Sequence, residues 1–203
     1  RNRGVELEVG YTKNINDFNI SVSANISKNK NEVLDIPNQE GVIHGESNVL
    51  FNGCEEIYRA QKGYPVAYFY GYKTNGLFQN QDEINEYTGV DSLGNPILDS
   101  KGNKILIQPK ASPGDVRFVD VNKDGKIDEK DKTMIGNPYP DYTYGMTFSA
   151  SYKGFDLSFS LQGVYGNDVV FGIRNMDRDY FNWDADMLKR WTGEGTSNRI
   201  PRA

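Results

Sequence analysis

The stretch "DVNKDGKIDEKD", residues 120–131, carries oxygen-bearing side chains at the spacing with which a twelve-residue loop wraps a hard divalent cation. Calcium takes about six to eight oxygens, and a flexible loop must supply them. Asp120, Asn122 and Asp124 fall at positions 1, 3 and 5 of such a loop, and Gly125 takes the sharp turn at 6. Lys126 would offer its backbone carbonyl at 7, Asp128 stands at 9, and Ile127 fills the apolar position 8. Position 12 is Asp131 where a longer Glu is usual, so its oxygens reach the ion directly or through water. Five acids against three lysines suit a modest site, and the expectation is one structural Ca2+. The plain alternative is a solvated acidic turn.

Little else could do chemistry. The sequence has no G-x-S-x-G, no H-E-x-x-H, no P-loop and no dinucleotide fingerprint. Pairs such as Glu55-Glu56 and Asp82-Glu83 are ordinary surface acids. His44 is the single histidine and cannot build a multi-histidine metal site; its polar setting predicts solvent exposure. Cys54 is the single cysteine, which excludes an internal disulfide and reads as a small packed residue. An enzyme is not expected. With a net charge of -5 and no Lys/Arg patch with interleaved aromatics, neither is a nucleic-acid partner.

The acidic loop has no helix pair around it. Pro138 and Pro140 follow in "IGNPYPDY" and forbid a helix there. Four segments instead alternate with a period of two, the mark of strands with two unlike faces. Val5, Leu7, Val9 and Tyr11 oppose Glu6, Glu8 and Thr12; Phe18, Ile20, Val22, Ala24 and Ile26 oppose Asn19, Ser21, Ser23, Asn25 and Ser27. Tyr142, Tyr144, Met146, Phe148 and Ala150 oppose Thr143, Gly145, Thr147, Ser149 and Ser151. Phe155, Leu157, Phe159 and Leu161 oppose Asp156, Ser158, Ser160 and Gln162.

The links are lopsided. Residues 13–17 join the first pair and Lys153-Gly154 the second, whereas residues 28–141 separate the pairs. Short turns at one end and long loops at the other describe an outer-membrane barrel. The last two alternating runs approach the roughly 9–11 residues that cross a bilayer, longer than the usual soluble strand. The polar faces are small and hydroxylic, with aromatics near both strand ends, as a lumen wall with interfacial girdles requires.

The fold class expected is therefore all-β: about four antiparallel membrane strands of a large transmembrane β-barrel, with long extracellular loops. Residues 1–27 and 142–165 are the barrel hairpins. Residues 28–141 are a long extracellular region holding the calcium loop at 120–131, and residues 166–203 an extracellular loop with a short helix. Within the long region, 63–79 predicts a small sheet or hairpin, 81–87 one or two helical turns, and 92–107 a second hairpin. "NWDADMLKRW" predicts an amphipathic helix with Trp183, Met187, Leu188 and Trp191 on one face. No run of about 18 apolar residues would make a transmembrane helix, which leaves membrane strands open. "RNRGVELEVGY" opens as a strand already under way, as a fragment of a longer chain would.

The run "SPGDVRFVDVNKDGKIDEKDKTMIGNPYPDYTYGMTFSASYKGFDLSFSLQGVYGNDV", residues 112–169, resembles the signature region of SusC/RagA-type TonB-dependent outer-membrane transporters. "RGVELEVGY", "NGLFQ" and "LKRWTGEGTSNRIPRA" are similar to the same family in the same order. The resemblance implies a barrel of about 22 strands with a plugged lumen, in the outer membrane of a Gram-negative bacterium. It implies a SusD-like lipoprotein lid, an oligosaccharide or peptide substrate, contact with outer-membrane lipid, and energy from TonB through an N-terminal part. This chain matches a late-middle piece of that barrel. No substrate-binding residues carry over, because no motif spells them.

Two rival readings remain. One is a secreted calcium-stabilised β-sandwich that binds carbohydrate, whose strands would also alternate. The other is a glycosidase fragment using two of the acids, for which no convergent acid pair stands in a motif.

Overall fold

The computed structural model describes residues 1–172 and 184–202. The chain divides into two compact units. One holds residues 1–47, 56–69 and 136–170, the other residues 48–55, 70–135 and 171–203.

The first unit is built on a four-stranded antiparallel sheet. Its strands are β1 (Asn2–Ile15), β2 (Phe18–Asn31), β9 (Tyr142–Tyr152) and β10 (Phe155–Tyr165), in the order β1-β2-β9-β10. The expected hairpins are present, and the first is longer than its pattern. Lys28 to Asn31 no longer alternate, yet they stay paired with Val5 to Asn2 because the backbone ladder continues past the apolar face. Lys153 and Gly154 close the second hairpin at φ +47° and +87°, the two left-handed positions of a type I′ turn. Between the hairpins run the short strands β3 (Val42–His44), β4 (Tyr58–Gln61) and β5 (Tyr68–Tyr72). β4 pairs antiparallel with both β3 and β5. The Tyr68 ring is buried there, stacked on Tyr64 at 4.8 Å.

The second unit carries its own core of Leu77, Phe78, Ile84, Ile107 and Cys54. It also holds β6 (Thr74–Leu77), α1 (Gln81–Glu86), β7 (Val116–Phe118) and most of β8 (Lys132–Gly136). Asn80 caps α1 by accepting from the Glu83 amide, and Asp82 and Glu83 favour its positive end. The sequence predicted one sheet or hairpin over 63–79. The strands β5 and β6 form there, but β5 pairs with β4, and β6 with β7.

Over 88–106 the single expected hairpin is replaced by a three-way closure. "DSLGNPIL" and "DSKGNKIL" repeat with a period of eight. In each copy one Asp oxygen accepts two backbone amides, and the following Asn amide group returns to the other oxygen. The Gly89 amide donates to the Ile105 carbonyl, Ile105 to Ile97, and Ile97 back to Gly89, at 2.8–3.0 Å. Near the C-terminus the expected helix is a 3-10 turn at Ala185–Lys189, with Leu188 largely exposed in place of packing. Trp183 lies outside the described residues.

Candidate functional site

The acidic loop leaves β7 and returns through a short 3-10 turn, Glu129–Asp131, into β8. Its Gly125, at φ +87°, faces the side chains of Ile97 and Ile105, so the loop sits on the three-way closure. A Cβ on Gly89 would meet the Gly125 Cα at 2.7 Å; only glycine lets the two backbones approach this closely.

Within the loop the acids are organised by amide donors. Asp120 accepts from the Asp124 and Gly125 amides at 3.2 and 2.8 Å. Asn122 Oδ1 accepts from the Asp124 amide, and Asp124 Oδ1 from the Lys126 amide. Asp128 caps the 3-10 turn by accepting from the Lys130 amide at 2.9 Å. The Lys126 ammonium lies 2.6 Å from Asp128 and 3.8 Å from Asp124. Asp128, then Asp124, hold the Lys126 pKa above its ordinary value, and Lys126 in turn holds that of Asp128 down.

Asp131 is different. It is completely buried, and its two oxygens accept from the amides of Val121 (2.8 Å), Asn122 (3.3 Å) and Asp128 (2.8 Å). It clasps the start of the loop to its end. Among the described residues no three His, Cys, Asp or Glu side chains gather closely enough to hold a metal ion. Ion binding here would lean on the Asn122 amide oxygen and the Lys126 carbonyl beside Asp120, Asp124 and Asp128. This donor set is all oxygen and fits calcium chemically.

The large sheet is the other candidate. Its register lines up unlike faces across all four strands. Tyr11, Val22, Phe148 and Phe159 form one row, and Val9, Ala24, Met146 and Leu161 the next, all on one face. On the opposite face run Thr12, Ser21, Ser149 and Ser158, then Glu8, Asn25, Gly145 and Gln162. Phe148 stacks on Phe159 at 5.2 Å, and Tyr144 lies against Gly163, whose missing side chain makes room for it. The polar face is laced by hydroxyl and amide pairs: Ser27 with Thr143, Thr147 with Ser160, and Asn19 with Ser151.

The described residues cover neither face. Phe155 is 80% exposed and Phe159 45%, on a face where a water-soluble sheet would bury its core. Aromatic side chains mark both borders of the apolar face. Phe18, Tyr152 and Phe155 share one row at the turn end, and Tyr142 and Tyr165 share one at the other.

His44 is half exposed, as expected, and is held between carboxylates. Its Nδ1 meets Glu56 at 3.0 Å, and its Nε2 meets Glu40 at 3.3 Å. Arg59 pairs with the same Glu56. The Glu56 hydrogen bond holds the imidazole pKa above its ordinary value. The two carboxylates bind different ring nitrogens, so the cluster does not converge on one point. Cys54 is buried, its thiol donating to the Glu55 carbonyl.

The signal that sequence reasoning passed over is the octapeptide repeat, which comparing the sequence with itself would reveal. It supplies the seat on which Gly125 rests.

No protein-family model matches the chain. TonB-dependent receptor P26 of Formosa agariphila is 31% identical to it, the match covering 100% of this chain and 19% of that protein. TonB-dependent receptor SusC of Bacteroides thetaiotaomicron is 27% identical over 84% of this chain and 14% of its own length. Among solved structures, a chain of the RagAB peptide transporter superimposes with a TM-score of 0.58 at 21% identity, covering 99% of this chain and 20% of that one. The chain thus spans about a fifth of the length of the curated relatives it matches. Sequence and fold agree: the chain is similar to TonB-dependent receptors, SusC among them, and aligns with one section of each.

Proposed function

We propose that this chain is a section of the wall, with its outer loops, of a TonB-dependent outer-membrane importer. The observation that carries the reading is the four-stranded sheet, left uncovered by the described residues and apolar on one face and polar on the other through the middle rows of its register. Lys13 and Lys28 stand toward the borders of the apolar face, and Val164 at the rim of the polar one. Such a sheet is stable where lipid contacts one side and a polar interior the other. From Tyr142 to Tyr152 the strand takes ten residue steps, about 34 Å. At the usual strand tilt this projects to about 25 Å, the height of an apolar membrane band. A carbohydrate-binding sandwich would bury the same face under a second sheet.

The cargo is an oligosaccharide or a peptide. The peptide transporter RagAB among the similar structures supports the peptide, and the TonB-dependent receptors among the relatives support a TonB-driven cycle. The oligosaccharide and a SusD-like lipoprotein partner are what the resemblance to the SusC/RagA type implies. Fractionation of the source bacterium is expected to recover the full-length protein in the outer membrane. Its uptake of a labelled oligosaccharide or peptide pool should stop when TonB is deleted. Recovery as a secreted soluble protein would reject the reading.

The acidic loop serves as a calcium-stabilised seat for the outer loops. Asp120, Asn122, Asp124, Asp128 and the Lys126 carbonyl bind the ion, with Asp131 clasping the loop from behind or joining through water. The pre-arranged alternate oxygens and the Gly125 turn support this. Calorimetry on the full-length protein should show calcium binding at about 10⁻⁴–10⁻³ M, as in extracellular modules. It should be lost in Asp120→Asn combined with Asp124→Asn. Absence of calcium heat at millimolar ion would refute the site.

A further inference from the structure

On β1 and β2 the apolar face does not end in neutral residues. From the Tyr142 row outward it continues as Lys28, then Lys30 and Arg3, all on the lipid-facing parity: Lys28 pairs with Val5 and Tyr142, and Lys30 pairs with Arg3. All three are exposed. The Lys28 ammonium stands 5.1 Å from the Tyr142 ring centre, which places it at the border aromatic. Arg3 and Lys30 lie two residues further out, about 7 Å along the strand. The one acid of this patch, Glu32, is held by Arg1 at 2.6 Å. Among the described residues no carboxylate lies within ion-pair distance of Arg3, Lys28 or Lys30, and Glu32 attracts Lys30 only at longer range. Glu6 and Glu8 project from the opposite face. At the turn end the same face carries Lys13, with Lys153 in the turn, its ammonium 5.3 Å from the Tyr152 ring centre.

A cation cluster facing lipid just past an aromatic border stands at headgroup depth, where long basic side chains reach out to charge. We propose that Arg3, Lys28 and Lys30 bind the phosphate groups of anionic lipid in the leaflet on the long-loop side. This surface rests on the sheet being a membrane wall. Its occupant is fixed by complementarity: three cations on an outward face, none in a close ion pair among the described residues, meet phosphates that lie in the same plane. It would fasten the outer rim of these strands to the leaflet whose surface the importer samples.

The test uses the full-length protein in phosphatidylcholine nanodiscs doped with lipid A, with bound lipid A read by native mass spectrometry. Wild type should carry lipid A adducts. Replacing Arg3, Lys28 and Lys30 together by Gln should weaken that binding about 100-fold, at about fivefold per cation. Lys13→Gln should leave it unchanged, and Lys28→Arg with Lys30→Arg should retain it. If the triple variant fails to fold, Arg3→Gln alone should still show the fivefold loss. Equal adducts in wild type and variants would overturn the proposal while leaving the barrel intact. Displacement of lipid A by matched inorganic phosphate would overturn it as a lipid surface. Failure of the protein to enter nanodiscs at all would remove the membrane wall and this surface with it.

Discussion

Arginine at Phe159 is expected to cost the folded, membrane-inserted protein about 2–4 kcal/mol, and arginine at neighbouring Ser158 far less. Phe159 lies on the apolar face, stacked on Phe148 and still 45% exposed. It is in register with Phe148, which stands four residues from the Tyr152 border and six from Tyr142, so it sits near mid-membrane. A guanidinium there must leave water for hydrocarbon or distort the bilayer around it. Ser158 lies in the row of Thr12, Ser21 and Ser149, facing the polar side, where the same charge keeps its water. Denaturant titration of the full-length protein refolded into vesicles measures both. Equal costs would mean that the two faces are not differently solvated, and the sheet would be a soluble one.

The second large effect is expected at Asp131. Its buried carboxylate satisfies three backbone amides, from Val121, Asn122 and Asp128. Asp131→Ala would strand all three, and hydrogen bonds to a charged group contribute about 1.5–3 kcal/mol each. Local opening of the loop should therefore become cheaper by about 3 kcal/mol or more. Hydrogen exchange over residues 116–136 should then accelerate by about 100-fold, with the four-stranded sheet unaffected. Asp128→Ala, which in the calcium-free loop removes a cap and an exposed ion pair with Lys126, should cost about 1 kcal/mol. Unchanged exchange in the Asp131 variant would show that the clasp does not hold the loop.

These two residues also mark what could be read from the chain. The faces of the sheet were legible because a period of two survives intact from Tyr142 to Gln162, and no core residue elsewhere competes for it. The extension of β2 to Asn31 was not, because Lys28 to Asn31 are held by the ladder with β1, and backbone pairing leaves no mark on side-chain type. Asp131 was found as position 12 of a loop, but spacing does not say which way a carboxylate turns. The same side chain can ligate an ion or bind amides, and packing decides. The three-way closure was half legible. Its repeat is written in the sequence, yet the third partner, Gly89, lies outside both copies and is recruited by tertiary geometry. The C-terminal turn carried helical spacing in residues too few to propagate a helix.

The membrane wall is tested most directly by spin labels placed one at a time at residues 157–162 of the full-length protein in vesicles. Collision with oxygen, which concentrates in lipid, should peak at Leu157, Phe159 and Leu161. Collision with a water-soluble nickel chelate should peak at Ser158, Ser160 and Gln162. Nickel reaching Leu157, Phe159 and Leu161 as readily as their neighbours would contradict it.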